Sequence, residues 1–244
     1  MWTLFQKEIK TFFSSITGYI VVILYLVINS LVMWVFHGPA NILDAGYANI
    51  DTLFVISPWV FLFLVPAVTM RLISDEKRIK TMEVLLVRPI SELRIVLAKY
   101  FAGLVLVIVA LLPTFLYLIS IHTLGKPAGN FDAGAIAGSY IGLFFLAAIY
   151  TAIGLFASSL TSNQIISFLI AVVLCFIMYI GFGELSSMIA SGSTSTFIES
   201  LGINYHYSSI SRGLIDTRDI IYFLSVISIF ILITKLVLES RKWK

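Results

Sequence analysis

The chain has 244 residues, of which 59% are hydrophobic and 12% charged, with a mean hydropathy of +1.02. Soluble domains carry about a quarter of their residues as charges, so this composition excludes a soluble globular protein and indicates one embedded in a bilayer, where about 20 apolar residues make a span. A net charge of +3, with cations scattered around membrane ends, gives no support for nucleic-acid binding, and the single cysteine, Cys175, allows no internal disulfide.

Residues 1–17 are predicted to form an amphipathic helix on the membrane surface, because Trp2, Phe5, Ile9, Phe12 and Phe13 alternate with Gln6, Lys7, Glu8 and Lys10 at helical spacing. The apolar run that follows has no small-residue cleavage site and is read as a retained first span, 19–36. A connection containing Asp44 and Asp51 leads to the second span, 53–71, in which Pro66 predicts a kink. The third span, 95–121, contains Pro113, a second expected bend. The fourth, 133–160, repeats Gly134, Gly138 and Gly142 every fourth residue, with Gly154 and Ser158 on the same face. Small residues at that spacing let helices approach closely in lipid, either within one subunit or at a subunit interface. A tight TSNQ turn precedes the fifth span, 165–182. The outer segment, 183–219, is rich in Ser, Gly and Thr, and Thr196 with Glu199 reads as a capping box opening a short helix. The sixth span, 220–238, ends in ESRKWK.

Between the second and third spans lies RLISDEKRIKTMEVLLVRPISELR, Arg71 to Arg94, which holds ten of the chain's twenty-nine charged residues. Such an island must sit in water. Within it Met82, Leu85 and Leu86 fall at i, i+3, i+4, so a short helix over 80–89 carries an apolar ridge framed by Lys80, Glu83 and Arg88, with Pro89 as its stop and Ser91 as the next N-cap. The expectation is a docking surface for a water-soluble partner. Six spans put both termini on the side of this island, and that side holds thirteen of the sixteen Lys and Arg residues, so it is assigned to the cytoplasm.

Lys99 and Lys235 are assigned to span ends, which leaves the span interiors free of charge and removes the groups that gradient-driven transport uses. His37, His122 and His206 each stand alone, with no metal-ligand spacing, and no P-loop, H-E-x-x-H or G-x-S-x-G motif occurs. The uncharged polar residues within spans, Asn29, Thr114, Tyr117, Tyr150 and Thr151 among them, either make interhelical hydrogen bonds or line a weakly polar translocation path.

The stretches DEKRIKTMEVLLVRPISELRIVLAKY and IGLFASSLTSNQIISFLIA, within this order of spans, resemble the permease subunits of type 2 ABC exporters. Ser139 to Ala171 and the C-terminal SSISRGLIDTRDIIYFLSVISIFILITKLVLESRKW resemble more narrowly the F subunit of the gliding-motility (Gld) ABC transporter. The resemblance implies an all-α integral membrane protein of six transmembrane helices, with residues 80–89 as a cytoplasmic coupling helix that seats in a separate ABC ATPase. Met82, Leu85 and Leu86 would then be the inserted ridge, and Glu83 and Arg88 polar anchors. It further implies no cofactor and no catalysis in this chain, ATP and Mg²⁺ residing on the ATPase, and a second permease, identical or homologous, in the bacterial inner membrane with both termini cytoplasmic. The competing expectations are a self-sufficient secondary transporter or channel, and a structural anchor of the gliding machinery.

Overall fold

The structure is a computed structural model that describes residues 1–46, 48–86, 90–127, 129–189 and 192–240. It is all-helical, with no strand among the described residues. Six helical segments are long and apolar enough to cross a membrane, at Ile16–Val35, Asp51–Arg78, Glu92–Leu124, Ala133–Leu160, Gln164–Met188 and Thr217–Glu239.

Helix α1 (Trp2–Phe13) is amphipathic and turns at Ser14 into α2 (Ile16–Ser30), which a π turn, Leu31–Val35, extends. The elbow is tight: a Cβ at Gly18 would stand 2.6 Å from the Phe12 carbonyl oxygen, so glycine is required there. The second segment is α3 (Asp51–Thr69), broken at Met70 and continued as α4 (Arg71–Arg78), followed by the six-residue α5 (Thr81–Leu86). The third is α6 (Glu92–Leu111), a 3-10 turn at Leu112–Thr114 around Pro113, and α7 (Phe115–Leu124). Ser91 stands at the N-cap of α6 with extended backbone, but its side chain makes no capping bond, contrary to expectation.

Helix α8 (Ala133–Leu160) is the centre of the bundle, packing against α3, α4 and α6 and against three later helices. Of its apolar window 78% is buried, against 22% for the first and fifth segments, whose outer faces suit lipid. Asp132 accepts the Ala135 N–H at 3.0 Å, and Asn163 accepts the Ile165 N–H at 2.9 Å to start α9 (Gln164–Phe176). A π turn at Ile177–Gly181 carries the segment into α10 (Phe182–Met188), beyond the expected end of the fifth span. Next come α11 (Ser193–Glu199) and α12 (Ile203–Ile210), then α13 (Thr217–Glu239), capped by Asp216. Thr196 and Glu199 lie inside α11 rather than opening a helix, so the capping-box expectation is corrected: the turn at Gly202 starts α12.

The small-residue face of α8 serves this chain's own packing. A Cβ on Gly138 would stand 2.8 Å from Gly213 Cα and 3.0 Å from the Ile210 carbonyl oxygen, and one on Gly142 would meet Ile210 and Tyr207 of α12. That seat leaves no room for a second subunit at Gly138 and Gly142. Gly134 is different, meeting only its neighbour Asp132.

Candidate functional site

At the end of the bundle that carries α1, called here the charged end, α4 is held from two sides. On one side stands Lys99, two turns into α6 and fully buried, not at a wet span end as its sequence position suggested. Its Nζ donates to the Leu72 carbonyl at 2.6 Å and to Glu8 Oε1 at 2.9 Å, and lies 2.9 Å from Glu76 Oε2. Two oxygens thus accept hydrogen bonds from the ammonium, and the Glu76 carboxylate stands beside it as an ion-pair partner. Lys7 completes the cluster, donating to Glu76 Oε1 at 2.7 Å and Glu8 Oε1 at 3.3 Å. Partial burial opposes the Lys7 charge, but its hydrogen bond to Glu76 and the two carboxylate charges outweigh it and hold the ammonium above the ordinary lysine value. Two acids and two bases therefore join α1, α4 and α6 with no net charge. Glu8 reaches the cluster because it shares the buried face of α1 with Phe12, one turn on.

On the other side, α8 grips the break at Met70. Ser158 Oγ accepts the N–H groups of both Ile73 and Ser74 at 3.0 Å and donates to the Met70 carbonyl at 2.8 Å, so a foreign hydroxyl sits inside the helical ladder. Glycine at 154, one turn earlier, makes room for the Thr69 side chain. The α8–α9 turn adds Gln164, which donates to Asp75 Oδ1 at 2.8 Å, and the Ser159 carbonyl, which accepts from Lys77. Arg71 ties the α1–α2 elbow to the same platform, bonding Thr17 at 2.6 Å and Ser15 at 3.1 Å with its guanidinium 3.9 Å above the Phe12 ring.

The platform ends at Ile79, an apolar side chain 57% exposed, and at Lys80, whose φ of +60° is left-handed. Helix α5 follows. Met82 is fully buried against the core, so it is a packing residue and not the exposed tip of a ridge. Leu85 is half-buried against the same core, while Lys80 and Glu83 are exposed. The side chain of Leu86 and all of Arg88 and Pro89 lie outside the described residues. The i, i+3 spacing put Met82 and Leu85 on one face, but that face turns inward and Ile79 is left outward.

The five polar residues proposed for a path separate into two groups. Near one another, the Tyr117 and Ser30 hydroxyls pair at 2.6 Å, and Thr114 pairs with Tyr140 at 3.1 Å while donating to the Leu111 carbonyl. Asn29 of α2 donates to the Tyr25 carbonyl. Apart from these, Thr151 donates to the Ala147 carbonyl, and the buried Tyr150 hydroxyl has no hydrogen-bond partner among the described residues. None of the five lines the cleft of about 770 Å³ at the opposite, far end, which Asp51, Lys126, Asn130 and Asp132 border.

The histidines also differ from expectation. His37 Nδ1 lies 3.1 Å from Asp44, and the buried His206 Nδ1 lies 2.6 Å from Asp219 Oδ1, so these two do not stand alone. Among the described residues no group of three His, Cys, Asp or Glu side chains could hold a metal ion.

Six apolar helices, with the fourth at the centre and a charged platform at one end, make a multi-pass membrane protein. The family model described as ABC-2 family transporter protein matches residues 2–242. The chain belongs to this family and is a permease of an ABC transporter, a membrane component that works with an ABC ATPase in the lipid bilayer. A comparison with curated proteins finds no match.

Proposed function

We propose that this permease is the membrane-spanning subunit of an ATP-driven exporter, and that its ATPase seats against Ile79 and α5. The observation that carries the reading is the two-sided grip on α4, which ends abruptly at an exposed apolar residue and a left-handed joint. A partner that presses on Ile79 moves α4, and the Lys99 cluster and Ser158 oblige α1, α6 and α8 to follow. Closure of the ATPase on ATP makes different contacts with two arrangements of these helices, which is what any such switch requires. Lys80, Glu83, Leu85, Leu86 and Arg88 supply the surrounding contacts, and Met82 supports them from within.

On this reading the charged end is cytoplasmic, since the order of spans assigns thirteen of the sixteen Lys and Arg residues to that side, and the membrane is the bacterial inner membrane. ATP and Mg²⁺ are bound by the ATPase, and a second permease, the same chain or a homologous one, completes the unit. The likeness of Ser139 to Ala171 and of the C-terminal stretch to the Gld permease supports a role in gliding motility.

Ile79→Asp tests the docking surface. Removing an isoleucine contact and burying a carboxylate there costs at least about 2–3 kcal/mol, so co-purification of the ATPase should fall by a factor of about 30 or more while the permease still inserts. Undiminished association would sink the proposal.

A further inference from the structure

At the far end, α12 lies against α8 and α13. Its Ile203, Tyr207 and Ile210 are buried, and the Tyr207 hydroxyl donates to the Phe54 carbonyl at 2.6 Å, near the start of α3. With Gly138 and Gly142 beneath it, this short helix closes the ends of α3 and α8.

His206, on α12, is what fastens it to α13. The imidazole has an oxygen acceptor at each nitrogen: Asp219 Oδ1 at 2.6 Å from Nδ1, and the Ser200 carbonyl at 2.8 Å from Nε2. A neutral imidazole has one N–H and one lone pair. Either neutral tautomer would therefore aim a lone pair at an oxygen, and both contacts are hydrogen bonds from the ring only when it carries two protons. We infer that His206 and Asp219 form a proton-binding clasp, an imidazolium against a carboxylate, that latches α12 over the far end.

Both residues are buried, at 8% and 5% exposed, so the pair is shielded from water. Tyr222 of α13 stacks on the imidazole at 3.9 Å between centroids, an arrangement that attracts a cation, and its hydroxyl donates to the Leu201 carbonyl and so does not compete for the ring nitrogens. From its own helix the ring meets the edge of Tyr205, from α13 also Phe223, and from the turn after α11 only a carbonyl. Among the described residues, Asp219 is the only charge within ion-pair distance of it. The second oxygen, Asp219 Oδ2, is buried and has no hydrogen-bond partner among the described residues, so the imidazolium is also what makes this carboxylate tolerable. Closed α12 holds the proton between the ring and the Asp219 carboxylate, and opened α12 exposes both groups to water.

The test uses the full chain in lipid nanodiscs with nitrogen-15 histidine. The double variant His37→Gln, His122→Gln leaves His206 as the only imidazole. Both ring nitrogens should resonate as protonated at neutral pH. A ring with one bare nitrogen, whether the proton is absent or has moved to Asp219, overturns the inference. In the same titration, amide exchange over residues 203–210 should quicken by about tenfold or more as the ring loses its proton, and exchange that ignores the titration removes the latch. Asp219→Asn should give a neutral ring at neutral pH and fast exchange confined to this segment. A ring that stays doubly protonated in that variant refutes the clasp.

Discussion

Both ends of the bundle bury carboxylates, and they do so differently. At the charged end Glu8 and Glu76 are met by Lys7 and Lys99 at 2.7 to 3.3 Å. At the far end Asp219 is met by a histidine, whose charge is conditional. The first arrangement makes a permanent joint among three helices, and the second a fastening that one proton can undo.

The comparison is broken most severely at the permanent joint. Lys99→Met leaves two buried carboxylates with only the half-exposed Lys7 between them, and should cost about 3–5 kcal/mol in thermal unfolding of the purified protein. Adding Glu8→Gln and Glu76→Gln to that variant should recover most of the loss. A change within about 0.5 kcal/mol for Lys99→Met alone would mean that the cluster is wet and the joint weak.

A smaller effect is expected from the far end. Gly138→Val drives two methyl groups toward Gly213 and the Ile210 carbonyl, and should cost about 1–3 kcal/mol. The loss should appear as faster amide exchange in residues 203–210, with the amides of α4 unchanged. If α4 exchanges faster to the same extent, the two ends do not form separate units.

The smallest effect sharpens the contrast by pH. The Asp44 carboxylate is held below its ordinary value of 3.8, first by the Gly38 amide and then by His37. A lowered carboxylate stabilises the loop above its unfolded value, and that contribution is lost as pH falls through the folded one. Exchange in residues 37–44 should therefore quicken only in acid, and Asp44→Asn should remove the acid step.

Hydropathy and proline placement made the spans readable, since lipid demands long apolar helices whatever their packing. The bend at Pro113 and the starts at Asp132 and Asn163 follow from local chemistry. The joint around Lys99 was not readable, because a lysine near a span end ordinarily reaches water, and its partner Glu8 is 91 residues away along the chain. His206 and Asp219 were missed for the same reason at a separation of 13. Helical spacing grouped Met82 with Leu85 correctly but is silent about which way the shared face points. Only Ile79, an isoleucine between Arg78 and Lys80, carried a visible sign of its exposure.

Ser158 and Gly138 lie on one uninterrupted helix, α8, of 28 residues. They are separated by 20 positions, about 30 Å at 1.5 Å per residue. A hydroxyl wedged into the α3–α4 junction and a glycine seat under α12 are therefore the two heads of a single push-rod. An axial slide of α8, even by a fraction of a helical turn, would disturb the α3–α4 junction and unseat α12 in the same stroke, with no intervening chain of side chains to relay it.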